Sequence, residues 1–355
     1  MKGQEGEQNK LLTGGDLLMA YETEDHDTQY CFPAINSSCI KGRRSIYEYN
    51  VMYLFFSLLS ACTVFLNLLV IISISHFKML HTPTNLLILS LAVADLLVGL
   101  IVMPIEAIKL IETCWYYGDT VCRLFMMITG LLLSASLGNL VLIGVDRYVA
   151  VCQPLLYPQK ITTTKTVVSI CICWSCCSAY NSAIVISNGY YTSQRKDICY
   201  GKCIGMITSA WIFTDLTISF LFPCTVIITV YLRIFYVAHR QVKVINSLFK
   251  SEKCVMEGSV RRKSESKAAL TLGIIVTVYL LCWIPYYILS LTESTVISTT
   301  TITILSWALY INSGLNPLIY AFFYHWFKMS IKHIFTLKIF QTASSLMDIL
   351  TDYHS

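Results

Sequence analysis

Trp211-Ile212-Phe213-Thr214-Asp215-Leu216-Thr217-Ile218-Ser219-Phe220-Leu221-Phe222-Pro223 lies inside an apolar run far longer than an ordinary core strand, yet it carries an aspartate. An acid inside a membrane span costs about 2.5–3.5 kcal/mol on insertion scales, so it normally faces a cavity or a partner. If the run crosses a membrane, Asp215 is the residue that reports what the surrounding bundle holds.

The rest of the chain supplies that bundle. Its 355 residues are 55% apolar and 13% charged, with a mean hydropathy of +0.61. Soluble domains are typically about 25% charged, so the balance indicates a polytopic membrane protein. Segments long enough to cross about 30 Å of hydrocarbon as helix recur seven times, at approximately 51–75, 84–109, 120–151, 166–187, 207–237, 269–291 and 301–324. Backbone groups in lipid must be satisfied within the segment, which makes these spans helices. The expected fold is therefore an all-α membrane protein, a seven-transmembrane helix bundle over 51–324. A polar segment, 1–50, precedes it; it has no apolar stretch typical of a cleavable signal peptide, and its first 28 residues have the composition of a disordered tail. An amphipathic surface helix is expected at 325–340, with Phe327, Ile331, Ile334 and Phe335 apart from Lys328 and Lys332, and a tail at 341–355.

An odd number of spans puts the chain ends on opposite sides. Arg240, Lys243, Lys250, Lys253, Arg261, Arg262, Lys263 and Lys267 after span five, with Lys328, Lys332 and Lys338 in the tail, assign that face to the cytoplasm. Lys41, Arg43 and Arg44 ahead of span one oppose the rule locally. Asn36-Ser37-Ser38 is then a glycosylation acceptor on the outer side, and Ser264 after Arg261-Arg262-Lys263 a phosphorylation candidate on the inner one. Six of the 15 cysteines, Cys31, Cys39, Cys114, Cys122, Cys199 and Cys203, fall in outer segments. An even number in an oxidising compartment suggests three bridges, with 15 possible connectivities. No zinc spacing or basic domain suggests nucleic acid.

Polar residues recur inside the spans. Asp95 is the second intramembrane acid, with Asn67, Ser136, Asn312, Ser313 and Asn316 at comparable depth. A small cation such as Na⁺ among these oxygens would satisfy the carboxylate; a protonated, packing Asp95 is the alternative. Asp146-Arg147-Tyr148 closes span three, and prolines interrupt span six (Cys282-Trp283-Ile284-Pro285) and span seven (Asn316-Pro317-Leu318-Ile319-Tyr320). A mid-span proline frees a carbonyl and kinks the helix. Polar spots, hinges and an inner ionic pair describe a bundle with two packings.

Asn67, Leu91-Ala92-Val93-Ala94-Asp95, Asp146-Arg147-Tyr148, Trp174, Pro223, Tyr231, Cys282-Trp283-Ile284-Pro285 and Asn316-Pro317-Leu318-Ile319-Tyr320 together resemble the rhodopsin-like G-protein-coupled receptors, across all seven spans. Leu66 departs from the glycine that many members carry before the span-one asparagine. The resemblance implies that Arg147, Tyr231 and Tyr320 rearrange on activation to open a G-protein cleft, and that Asp95, Ser136, Asn312, Ser313 and Asn316 form a Na⁺ pocket. The run from Asn312 to Phe327, with its Phe-Tyr-x-Trp-Phe ending, is similar to the trace amine-associated receptors. That similarity implies bridges Cys122–Cys203, Cys31–Cys199 and Cys39–Cys114, and a stimulatory, olfactory-type G protein raising cyclic AMP.

Amine receptors usually hold the ligand ammonium with a span-three aspartate, 18 residues before the arginine; here that residue is Thr129. Asp215, eight residues before Pro223, stands where several fish members of the family carry an acid. A carboxylate in a low-dielectric cavity attracts an ammonium strongly, and Ser219 lies one turn along. Trp283, Tyr286, Tyr287, Trp307 and Tyr310 would wall the pocket, each desolvated ring face adding about 0.5–2 kcal/mol toward a cation. Glu106, 11 residues after Asp95, is either a rim charge or a second anchor suited to a diamine. The alternative for Asp215 is a structural bond to a neighbouring hydroxyl.

Other classes fit less well. Residues 301–324 hold no lysine for retinal, no internal repeat suggests a transporter, and no catalytic pair or cofactor motif indicates an enzyme. The rival readings are an aminergic neurotransmitter-type receptor and a receptor for a non-amine ligand.

Overall fold

The computed structural model describes residues 29–192, 199–203, 209–249, 273–274, 277–288, 299–323, 325–341 and 344–346. They form a seven-helix bundle followed by a surface helix. The helices are α1 Ile46–His76, α2 Pro83–Glu112, α3 Gly118–Cys152, α4 Thr163–Thr192, α5 from Ser209 to Phe249, α6 over Thr277–Ile288, α7 Thr299–Phe323 and α8 His325–Phe335. Ser45 and Glu48 close a reciprocal capping box at the start of α1, and Thr82 with Pro83 caps α2.

Two helices change pitch inside the membrane, at Val98–Val102 in α2 and Leu216–Leu221 in α5, where the backbone widens to π-turns. Each lies just before a proline, Pro104 or Pro223. A proline ring clashes with the carbonyl four residues back, and a wider turn relieves that clash. In the α2 turn, Met103 N–H bonds to Val98 O, so the next carbonyl, Gly99 O, would look to Pro104 for a donor that proline lacks. Ser60 of α1 supplies it, donating to Gly99 O at 2.6 Å. Pro317 in α7 frees the carbonyl of Ser313 in the same way, and Asn67 Nδ2 donates to that oxygen at 3.0 Å. Asn67 thus ties α1 to the α7 hinge.

Close helix approach rests on small residues. A side chain at Gly130 or Gly138 of α3 would collide with Asn181 or Cys173 of α4. Asn181 then bonds Ser134 at 2.9 Å, and Trp174 of α4 donates to Ser90 of α2 at 3.0 Å.

The disulfide pairing corrects the expectation. Cys122–Cys203 is present, but Cys31 pairs with Cys114 and Cys39 with Cys199. The reason is backbone pairing: Cys39 N donates to Tyr200 O and Tyr200 N to Ser37 O, which lays Cys39 beside Cys199. The tight return that bonds Cys31 N to Cys39 O then leaves Cys31 over Cys114. The basic cluster ahead of α1 is explained by the same cap. Lys41 pairs with Glu112 at 3.2 Å, Arg44 donates to Leu110 O at 3.3 Å, and Gly42 N donates to Thr113 Oγ1 at 2.7 Å. These groups meet the carboxyl-terminal end of α2, where cations are favoured.

α8 is shorter than the expected 325–340. It ends at Phe335 because Leu337 turns left-handed (φ 58°), and a single 3₁₀ turn follows at Lys338–Phe340. Trp326 and Phe327 are buried, whereas Phe335, Lys328 and Lys332 are exposed. The tail returns to α1, with His76 Nε2 and Ser344 Oγ 3.0 Å apart. Residues 250–272, which hold Ser264 and most of the basic loop, and the side chain of Tyr320 lie outside the described residues.

Candidate ligand pocket and its switch

Asp215 is the last residue before the π-turn of α5, and it is half-buried. Its carboxylate accepts one hydrogen bond from Tyr180 of α4 (Oδ1, 3.1 Å) and one from Tyr287 of α6 (Oδ2, 3.2 Å). Ser219 interacts with the same Tyr180 hydroxyl. Among the described residues no lysine, arginine or histidine is ion-paired with Asp215. Neutral phenols on two helices therefore hold a carboxylate that has no cation partner among the described residues. The bond to a neighbouring hydroxyl, weighed above as the alternative to a ligand anchor, is present. Tyr180 was not singled out in the sequence, where it is one tyrosine in an apolar span.

Tyr287 begins a stack down α6. Its ring lies 5.9 Å from Trp283, at 23°, and Trp283 lies 5.2 Å from Tyr279, at 24°. The four-residue spacing places the three rings on one helix face. Phe220 from the α5 π-turn packs on Tyr287 at 4.6 Å, and Tyr286 meets it edge-on at 5.6 Å. Asp215 thus touches the top of an aromatic column that runs into the core past Pro285, with Tyr287 on one side of the proline and Trp283 and Tyr279 on the other. Tyr279, 1% exposed, keeps a hydroxyl without a partner at its base.

On the far wall, Trp307 and Tyr310 meet edge-on at 5.6 Å, with Phe56 4.1 Å from Trp307. Thr129 Oγ1 and Trp307 Nε1 are buried without hydrogen-bond partners. Buried polar atoms are normally paired, so both are open to a bound group. Glu106 is not joined to Asp215. It is ion-paired with Lys109 at 2.8 Å. Its 11-residue spacing from Asp95 implies a shared face only on an unbroken α-helix, and the π-turn between them offsets that by one residue, about 100°.

Deeper in the bundle, Asp95 is fully buried. Ser136 Oγ donates to it at 3.0 Å, Asn316 Nδ2 at 2.7 Å, and Ser313 also contacts it. Asn312 is buried on the same α7 stretch, and its Oδ1 and that of Asn316 have no partner. Asn139, one turn beyond Ser136 and not singled out in the sequence, leaves a third buried amide oxygen unpaired.

At the end of α3, Arg147 is bound to its own neighbour. Its Nε lies 2.9 Å and one terminal nitrogen 2.6 Å from Asp146 Oδ2, and it also bonds Thr84. Thr84 and Tyr157 donate to Asp146 at 2.8 and 3.0 Å. Tyr148, next in the motif, is half-buried and packs against the small cluster of Val151 and Ile234. Tyr231 of α5 lies beside Gly144 of α3 and Gly273, ahead of α6, where a Cβ on either glycine would come within 3.8–3.9 Å of its ring. The arginine is clasped, and the tyrosine packs against the hydrophobic core with two glycines beside its ring.

The family of 7 transmembrane receptors (rhodopsin family) matches residues 66–320. Trace amine-associated receptor 13c of Danio rerio is 40% identical over 341 residues, covering 94% of this chain and 100% of that protein. Trace amine-associated receptor 7a of Rattus norvegicus is 38% identical, covering 95% of each chain, and receptor 6 of Homo sapiens is 36% identical, covering 92% of this chain and 96% of its own. A receptor family, not an enzyme family, accounts for the buried acids and the clasped arginine. The chain belongs to the rhodopsin family of seven-transmembrane receptors, plasma-membrane proteins that couple to G proteins, and within it to the trace amine-associated receptors.

Proposed function

We propose that the protein is an amine receptor whose ligand ammonium is held by Asp215 in span five. The carrying observation is that carboxylate, half-buried in the membrane, with two phenolic donors and no cation among the described residues. Hydrogen bonds from neutral groups stabilise a desolvated charge only in part; an arriving ammonium completes it. Thr129 leaves the usual anchor position of span three without an acid, so Asp215 takes the role alone. Ligand capture would pull Asp215 against Tyr287 and shift the column through Trp283 toward the Pro285 hinge, and Arg147 would leave Asp146 as the opposite end opens. The three bridges support an outward disulfide end, with Asn36 exposed there as a glycan acceptor. Signalling is assigned to a stimulatory, olfactory-type G protein and cyclic AMP in a sensory cell.

Na⁺ fits at Asp95. The carboxylate has only neutral donors, and a hydroxyl with amide oxygens beside it is the ligand set that hard cations take. The ion would supply charge balance that holds α2, α3 and α7 together. The residues that would hold it are Asp95, Ser136, Asn312, Ser313 and Asn316; an Asp95→Asn variant should lose any Na⁺-dependent rise in melting temperature.

The deciding experiment is a cyclic AMP assay with a panel of mono- and diamines on wild type and Asp215→Asn. Loss of response by two orders of magnitude or more is expected, since an uncompensated buried pair costs about 3–5 kcal/mol. A mutant fully active toward every amine would refute the anchor.

A further inference from the structure

Glu106 is a second acid in the outer half of the bundle, and it already has a cation. Lys109 Nζ lies 2.8 Å from Glu106 Oε1, one turn along α2. The same ammonium sits 5.9 Å from the Phe125 ring centroid on α3. Phe125 is one turn from Thr129, the residue at the vacated span-three anchor position. The Glu106 side chain is 14% exposed and that of Lys109 32%, so the acid lies inward of the base.

We propose that Lys109 sets ligand preference: it occupies Glu106 as a tethered counter-ion and biases the pocket toward ligands with a single ammonium. This rests on the amine reading of Asp215 and adds a discriminator to it. A diamine anchored at Asp215 would have to displace Lys109 from Glu106 to place its second charge. Both cations are then tethered, and tethered groups compete at effective concentrations of about millimolar or more. Contact with Phe125 favours the internal one. The lysine therefore biases selection without forbidding diamines.

The test uses purified full-length receptor, with ligand-induced thermal stabilisation as readout for hexylamine and 1,6-diaminohexane. That readout follows binding without assuming a G protein. Wild type should be half-saturated at lower hexylamine than diamine. Lys109→Met, and independently Lys109→Gln, should shift the ratio toward the diamine by about tenfold, equivalent to about 1.4 kcal/mol. Adding Glu106→Gln to Lys109→Met should restore the wild-type ratio. The inference is overturned if both lysine variants keep the ratio within about twofold of wild type, or if Glu106→Gln fails to cancel the shift. Those results, with hexylamine binding intact and abolished by Asp215→Asn, strike the Lys109 assignment alone. Failure of both amines to stabilise wild type strikes the amine reading and this inference together.

Discussion

Asp215 touches two hydroxyls that differ in what lies behind them. Tyr180 belongs to α4, whereas Tyr287 heads the α6 aromatic column. Tyr287→Phe keeps the ring and removes one neutral bond, worth about 0.5–1.5 kcal/mol. Its amine half-maximal concentration should move about two- to tenfold, far less than for Asp215→Asn, while maximal cyclic AMP falls if the column transmits binding. An unchanged maximum would show that the signal leaves Asp215 by another route. At the rim, the Lys41 ammonium is held above its ordinary range chiefly by its hydrogen bond to Glu112. Its stabilising effect is complete below the unfolded lysine value, about 10.4, and is lost as pH rises through the higher folded value. The melting-temperature gap between wild type and Lys41→Met should be flat from about pH 6 to 9 and close only above about pH 10.5. Asp215 was legible in the sequence as an acid in lipid. Tyr180 and Lys109 were not, because nothing in a single tyrosine or lysine tells which helix face it will meet.

Among the elements, prolines decide where the helices bend and neighbouring polar side chains decide what the bends cost. Pro104 and Pro317 each leave a carbonyl that another helix satisfies, Ser60 for Gly99 and Asn67 for Ser313. Ser60→Ala should orphan a carbonyl in lipid and destabilise the receptor by about 1–3 kcal/mol, read as a lower melting temperature in detergent. A Ser60→Thr variant, which keeps the hydroxyl, should recover most of that loss. The π-turn in α2 also shows why helical spacing alone could not fix the face that Glu106 presents. One extra residue per turn rotates everything beyond it, and the sequence marks the proline but not the pitch.

Across the whole molecule, three bridges join the N-terminal segment, the end of α2, the loop before α5 and the start of α3 into one cap. Cys39→Ser with Cys199→Ser opens a link spanning 160 residues, and removal of such a bridge typically costs about 2–5 kcal/mol. The pair of substitutions should lower the melting temperature and weaken amine potency, while the cross-combination Cys31→Ser with Cys199→Ser should behave worse by leaving Cys39 and Cys114 unpaired. Equal behaviour of the two would contradict the observed connectivity.

The chain by itself determined the spans, the hinges and the acids, because hydropathy, proline and charge act locally and leave a linear record. The family motifs were legible for the same reason. Tertiary structure alone decided the partners: Cys31 with Cys114, Asp215 with Tyr180 and Tyr287, Glu106 with Lys109. Pairing depends on helix rotation and on how a short backbone ladder lays one loop across another, and both arise only when distant segments pack.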